Sequence, residues 1–377
     1  MEKETVAIFS FKGPATNDMT GGIEVYELEL AKVLEKMGYN IEIFCGKDHD
    51  ENSPNQEQIS DNIRVRRYKA IFGFLPFALI SMHLSFFFKH KKNINFLIEN
   101  QSVIPMFTTF YRKSRLTIIH HITGKDYYRK QGKIKGSIGY YLEKFFLPKF
   151  YKKQSILTVS DHTKSQLVEL GFNRDAVKVI PPVVNVKPSE IVFHPRENII
   201  SYIGRYTGLQ GNKKIDHIID VLPEIIDSVP DAKLIIAGSM KKEDELKKRV
   251  ENLNLNEKVS FLGFISDEKK SEILAMSKVF ASPSYQEGFG ITYIESNING
   301  TPVVGYKIPD LMTVTDSSGI MVEKDDKDSL KEAIITLLLD DEKWNLLSKG
   351  AYENADKYSS YRVKKALKLY LRNILDN

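Results

Sequence analysis

Two glutamates, Glu287 and Glu295, stand with seven residues between them across the turn in PSYQEGFGITYIES. A short strand-like run, VFAS, leads into that turn, and an amphipathic helix start follows it. A glycine turn feeding a helix leaves backbone N–H groups unpaired at the positive end of the helix dipole, which suits an anion, phosphate above all. The carboxylates beside it suit another task, accepting hydrogen bonds from sugar hydroxyls. Two cations sit upstream. Arg205 follows Gly204 at the end of the strand-like NIISYIG, and Lys213 opens the next helix in NKKIDHIID. An Arg gives bidentate contact to a diphosphate and a Lys gives a point charge. Either cation alone would read as a solvated loop residue, and either carboxylate as a helix-surface group. The combination is what points to an anionic sugar compound.

The elements that must position these groups alternate strand and helix. In the first half VAIFS, IEIFCG, NIRVRRY, NFLIEN, LTIIHHI, SILTVS and VKVIPPVV read as short strands, and residues 23–37 as a helix stopped by Gly38. The second half repeats the grammar with NIISYIG, AKLIIAG, VSFLGF, VFAS, TPVVGY and GIMV between helical stretches. Such alternation predicts parallel sheets covered by helices on both faces, with ligands beyond the C-terminal strand ends. At 377 residues two domains are expected, meeting at a cleft. Pro181, Pro182 and Pro188 place the boundary, giving domains of residues 1–187 and 188–357. A last helix, roughly residues 359–375, carries Val363, Leu367, Tyr370, Leu371 and Ile374 at helical spacing.

Composition narrows the function classes. A single cysteine, Cys45, excludes an internal disulfide framework and a Cys-rich metal site. The N-terminal MEKETVAIFS reads as charged residues before a short strand, not a secretory signal, and the expected location is cytoplasmic. Charge is uneven. Residues 61–153 hold 19 Lys/Arg against four acids (Asp61, Glu99, Asp126, Glu143), a net of +15, which leaves −10 for the rest of a chain whose total is +5. That region includes residues 70–88, AIFGFLPFALISMHLSFFF, nearly uncharged and close to spanning length but lying between two strands of one sheet. Two readings stay open for it: a crossover helix with a greasy face at a bilayer interface, or a buried helix. Residues 125–153 interleave Lys and Arg with Tyr and Phe, a pattern that suits anionic lipid headgroups or single-stranded nucleic acid. No nucleic-acid motif accompanies it, so the membrane surface is expected and nucleic acid is not. A peripheral place at the inner face of the cell membrane follows from the same residues.

With those residues on the page, the chain resembles the retaining GT-B glycosyltransferases of family 4. The likeness rests on PSYQEGFGITYIES, on VSFLGFISDEKKSEILAMSKVFASPS and NGTPVVGY, and in the first half on GGIEVYELELAKVLEKMGYNIEIF and SILTVSDHTKSQLVELGF. It implies two Rossmann-like doubly wound domains facing a central cleft, the first on the acceptor side and the second binding a nucleoside-diphosphate sugar (UDP or GDP). It also implies that the terminal helix, residues 358–377, packs back on the first domain. Transfer would be retaining, to a sugar or lipid-linked acceptor, with no cofactor and no metal. By the resemblance Glu295 would bind the ribose and Glu287 the hydroxyls of the transferred sugar. Arg205 and Lys213 would bind the diphosphate. The amides of Phe289 and Gly290 would meet sugar or phosphate oxygens, and Gly22 would lie in the loop approaching donor and acceptor. A histidine after LTII would face the sugar, His120 or its neighbour His121. The spacer TGLQGN leaves Lys214 as a rival to Lys213. Departures from the family pattern are SNIN after Glu295, PPVVN before the linker, and residues 308–316, where Asp310 is the one stand-in for an expected acid. A GT-B sugar-nucleotide epimerase or phosphorylase, or a non-catalytic sugar-nucleotide-binding subunit, are the alternatives.

Overall fold

The computed structural model describes residues 3–376 apart from 15–21, 48–53, 70–74, 102–104, 112, 125, 185, 190–195, 207, 210, 240–241, 288 and 309–312. Gly21, Gly288 and Asp310 therefore lie outside the described residues. The chain forms two compact units, one of Met1–Val183 with Tyr361–Asn377, the other of Val184–Ser360.

The first unit is built on an eight-stranded sheet. Its strands are β1 (Thr5–Lys12), β2 (Asn40–Gly46), β3 (Gln56–Ser60), β4 (Ile63–Tyr68), β5 (Phe96–Gln101), β6 (Ser114–Ile119), β7 (Ser155–Thr158) and β8 (Val177–Val179), in the order β3-β4-β2-β1-β5-β6-β7-β8. All neighbours run parallel except β3 against β4. β3 has no counterpart in the sequence reading: QEQIS at a sheet edge buries no side chain fully, so no hydrophobic alternation marks it. LTIIHHI is shorter than expected, because the strand ends at Ile119 and both histidines follow it. The helix Gly22–Lys36 turns Tyr26, Leu30, Val33 and Leu34 into the core, and Gly22 is its first residue rather than part of the preceding loop. The helix Ser360–Leu375 packs Val363, Leu367, Leu371 and Leu375 into the same core, with Lys364 paired to Glu29 at 2.9 Å.

The second unit holds a six-stranded sheet of β9 (Glu197–Ile203), β10 (Lys233–Ala237), β11 (Val259–Gly263), β12 (Ser277–Ser282), β13 (Val303–Tyr306) and β14 (Gly319–Val322). Its order is β11-β10-β9-β12-β13-β14, parallel throughout. Both sheets are wound outward in two directions, so each has a switch point: β1 beside β5 in the first unit, β9 beside β12 in the second. Ligands of open α/β sheets bind beyond the strand ends at such points.

Candidate functional site

The ends of β9 and β12 carry the charged residues singled out above. Two segments leave them, residues 211–214 and 283–290, and three contacts tie one to the other. The Tyr285 amide donates to the Asn212 carbonyl at 2.7 Å, the Asn212 side chain donates to Gln286 at 3.2 Å, and the Lys213 ammonium pairs with the Glu287 carboxylate. Lys213 thus lies in the loop before the helix Ile215–Ser228, not in its first turn. Its rival Lys214 turns elsewhere, donating to the Leu209 carbonyl at 2.7 Å and lying 5.0 Å over the Tyr285 ring.

Both segments end on a left-handed residue that starts a helix, Lys214 before Ile215–Ser228 and Gly290 before Ile291–Ile298, and neither cap residue offers a side-chain hydrogen bond. The amides of Phe289, Gly290 and Ile291 bond to no other described residue. Two uncapped helix N-termini at one switch point make a positive, donor-rich floor for an anion. Arg205, just past β9, is exposed and makes no ion pair with another described residue.

Behind Glu287 stand two buried phenols. Burial first, and then the Glu287 charge, raises the pKa of Tyr202 and Tyr293, so both stay protonated. Tyr293 donates to Ser282 Oγ at 3.0 Å. The Tyr202 hydroxyl fills the space a Cβ at Gly204 would need, at 2.7 Å. The adjacent Gly238 has φ +116°, and a Cβ there would sit 2.1 Å from the Gly204 carbonyl oxygen. Gly238→Ala therefore combines a disallowed backbone with a backbone clash. It should destabilise the fold by about 3 kcal/mol or more, read as a fall in the chemical-denaturation midpoint.

Glu295 has a separate partner. Its carboxylate is buried and receives the Lys270 ammonium at 2.6 Å, while Lys270 also reaches Asp267 at 2.9 Å. Burial raises the Glu295 pKa, and Lys270 opposes that rise. Sequence reasoning missed Lys270. It is one of two adjacent lysines in the helix Asp267–Met276, and nothing in their order tells which one turns inward. The polar SNIN run is structural. Ser296 and Asn297 donate to the Thr301 carbonyl at 2.8 and 3.3 Å, and Asn299 donates to the Glu295 carbonyl at 2.9 Å. Among the described residues no group of three His, Cys, Asp or Glu could hold a metal ion.

In the first unit the switch point holds a buried polar chain. His120 Nε2 meets Asn100 Oδ1 at 2.7 Å, and the Asn100 amide nitrogen donates to Glu27 at 2.9 Å and to Ser10 at 3.3 Å. With Asn100 oriented this way, Nε2 carries the proton and Nδ1 presents a lone pair. The Tyr26 ring stands edge-on to His120 at 5.2 Å. His121 is half-buried. Burial, and then His121, push His120 down to about 3, so it is a neutral imidazole at neutral pH. Glu27 is pushed up to about 8 by burial, against the hydrogen bonds from Ser10 and Asn100. The sign follows. A carboxyl raised from about 4.5 to about 8 favours the fold fully below pH 4.5 and loses that contribution as pH rises through 8. Glu27→Gln should match the parent melting temperature at pH 4 and exceed it at pH 8.5, by roughly 2–4 kcal/mol of stability.

Family models match both units. Residues 20–187 match Glycosyltransferase Family 4 and residues 186–354 match Glycosyl transferases group 1. The chain is a GT-B glycosyltransferase of the family 4 type. It is 24% identical over 328 residues to mannosylfructose-phosphate synthase of Agrobacterium fabrum, covering 76% of this chain and 71% of that one. It is 23% identical over 352 residues to phosphatidyl-myo-inositol mannosyltransferase of Mycobacterium leprae, covering 87% and 86%. Among solved structures, sucrose-phosphate synthase from Thermosynechococcus elongatus superposes with a TM-score of 0.81 at 19% identity, over 99% of this glycosyltransferase and all of that chain. The GT-B fold is thereby shared, with two Rossmann-like units of the kind described above.

Proposed function

We propose that the protein moves a hexose from a nucleoside-diphosphate sugar to an acceptor, with retention of anomeric configuration and without a metal. The observation that carries this is the meeting of Lys213 and Glu287 at the β9/β12 switch point, beside two uncapped helix N-termini. Lys213, Arg205 and those amides suit the diphosphate. Glu287 suits the hydroxyls of the sugar, and Glu295 the ribose, each carboxylate being held by its own lysine until a ligand competes.

The bond from the anomeric carbon to the diphosphate oxygen breaks with its electron pair passing to the diphosphate. The acceptor oxygen bonds to the same face of that carbon, and its proton passes to the departing phosphate oxygen. Negative charge grows on the leaving group, where Lys213, Arg205 and the helix amides stabilise it without reorganising. No protein carboxylate is needed as a covalent nucleophile. In the first unit the neutral His120, fixed through Asn100, keeps a lone pair on Nδ1 that suits a hydroxyl hydrogen.

The acceptor we favour is carried on a membrane. Among the described residues no helix is long and apolar enough to cross a bilayer. The first unit nonetheless exposes Leu84, Phe87, Phe88, Ile134, Tyr141 and Phe145 within its basic region. The relative from Mycobacterium leprae is named for a phosphatidylinositol acceptor, in keeping with such a surface. The test is incubation with a panel of UDP- and GDP-sugars, following nucleotide release with and without membrane extract. Release of one nucleotide that depends on extract supports the reading. Release of none under any condition removes it.

A further inference from the structure

The first unit contains a cavity of about 660 Å³, lined in part by Leu79, Ile80, Met106, Phe107, Ile138 and Leu142. It lies among residues that the glycosyl-transfer site does not use. Its two titratable rings, His83 and Tyr111, engage each other: His83 Nδ1 meets the Tyr111 hydroxyl at 2.9 Å, and His83 Nε2 meets the Met106 carbonyl at 2.8 Å. The wall therefore offers no free polar group from that histidine, and its other members are mostly apolar.

Its walls are also held in place. Glu99 receives the amides of Met106 and Thr108 at 2.9 and 3.1 Å and the Tyr151 hydroxyl at 2.8 Å, and Tyr151 receives the Phe107 amide at 2.7 Å. This network keeps Phe107 in a left-handed conformation, φ 56°, that a bulky residue rarely adopts. Both helices that contribute walls pass into a π-turn, Phe86–His90 and Leu142–Phe146, and such turns recur at functional positions. A volume of this size falls within the roughly 300–1,000 Å³ of ligand pockets.

Cations lie on aromatic rings of the same basic region: Lys91 4.5 Å over Phe87, Lys144 5.7 Å over Phe145 and, beside the cavity, Lys149 5.7 Å over Phe150. Phe150 in turn packs on Phe107 and Phe110 of the cavity at 5.7 and 5.5 Å. Two of the four acids of this basic region are turned inward. Glu99 is buried under its donors, and Glu143 is buried with the amides of Thr123 and Gly124 on its two oxygens. An apolar cavity with a cation beside it suits an apolar chain ending in a negative group.

We propose that this cavity takes a single hydrocarbon chain of an anionic lipid, with the headgroup at the lysines. Its role rests on the membrane-borne acceptor proposed above, for which it would be the seat of the anchoring chain; its existence does not. The test uses the full chain and cis-parinaric acid, an anionic single-chain polyene that fluoresces in apolar surroundings, with flotation on phosphatidylglycerol vesicles run beside it. Saturable binding of one parinarate per chain is expected. Ile138→Trp and Ile80→Trp, at wall positions exposed enough to accept a larger ring, should weaken it at least tenfold. Phe88→Ser, outside the cavity, should leave it within twofold. Non-saturable uptake, or equal binding by both tryptophan variants with unchanged melting temperature, overturns the proposal. So does a dimer, seen by sedimentation, that excludes the probe. Flotation without parinarate binding removes the cavity and leaves the membrane reading. Parinarate binding without flotation does the reverse.

Discussion

Glu287→Ala is expected to lower transfer by about a thousandfold, with the melting temperature within a few degrees of the parent. The size follows from what the carboxylate would do. It would hold sugar hydroxyls in a site whose walls are buried phenols, where a charged acceptor is worth more than in water, and loss of one such preorganised group costs about 10²–10³ in rate. The small effect on folding follows from its place. Glu287 lies in a loop, and its one described ion pair is with a partly exposed lysine. Glu287→Gln keeps the shape but loses the charge and should fall between the two. The measurement is initial rate of nucleotide release at saturating acceptor; activity of the alanine variant within tenfold of the parent would remove Glu287 from the site.

Lys213→Met should lower kcat by about 10²–10³ while moving KM much less, because leaving-group charge is fully developed only in the transition state. Lys214→Met is the matched control. Its ammonium is already spent on the Leu209 carbonyl and the Tyr285 ring, so its rate should stay within a few fold. An equal loss in both variants would mean that the loop, not the Lys213 charge, is what matters.

Much of the scaffold was legible because parallel sheets announce themselves. Each buried strand is a short apolar run, and each helix that follows carries one apolar stripe. Pro181, Pro182 and Pro188 bracket Val184, where the second unit begins. What escaped was polar or relational. β3 has no apolar alternation because its edge position buries so little. The Lys270–Glu295 pair spans 25 residues and depends on the rotation of one helix against another. Glu27 looks like any surface acid of an amphipathic helix, and its burial under Asn100 becomes apparent only once β1 and β5 are side by side. That Lys213 rather than Lys214 meets Glu287 goes with a left-handed residue at Lys214, which no spacing rule reports. Of residues 70–88, the first five lie outside the described residues; further on, Met82 and Phe86 are buried while Ile80, Leu84, Phe87 and Phe88 are exposed, a mixture that composition alone does not announce.

The central claim is that the β9/β12 switch point binds a nucleoside diphosphate through its cations and its two carboxylates. Calorimetric titration of UDP, GDP and their sugars into the full chain tests it most directly. One of the two nucleotides should bind with one-to-one stoichiometry, and Lys213→Met and Glu295→Gln, each shown to be folded, should weaken it at least tenfold. Binding that is indifferent to both substitutions, or no binding of either nucleotide or its sugars, would contradict the account.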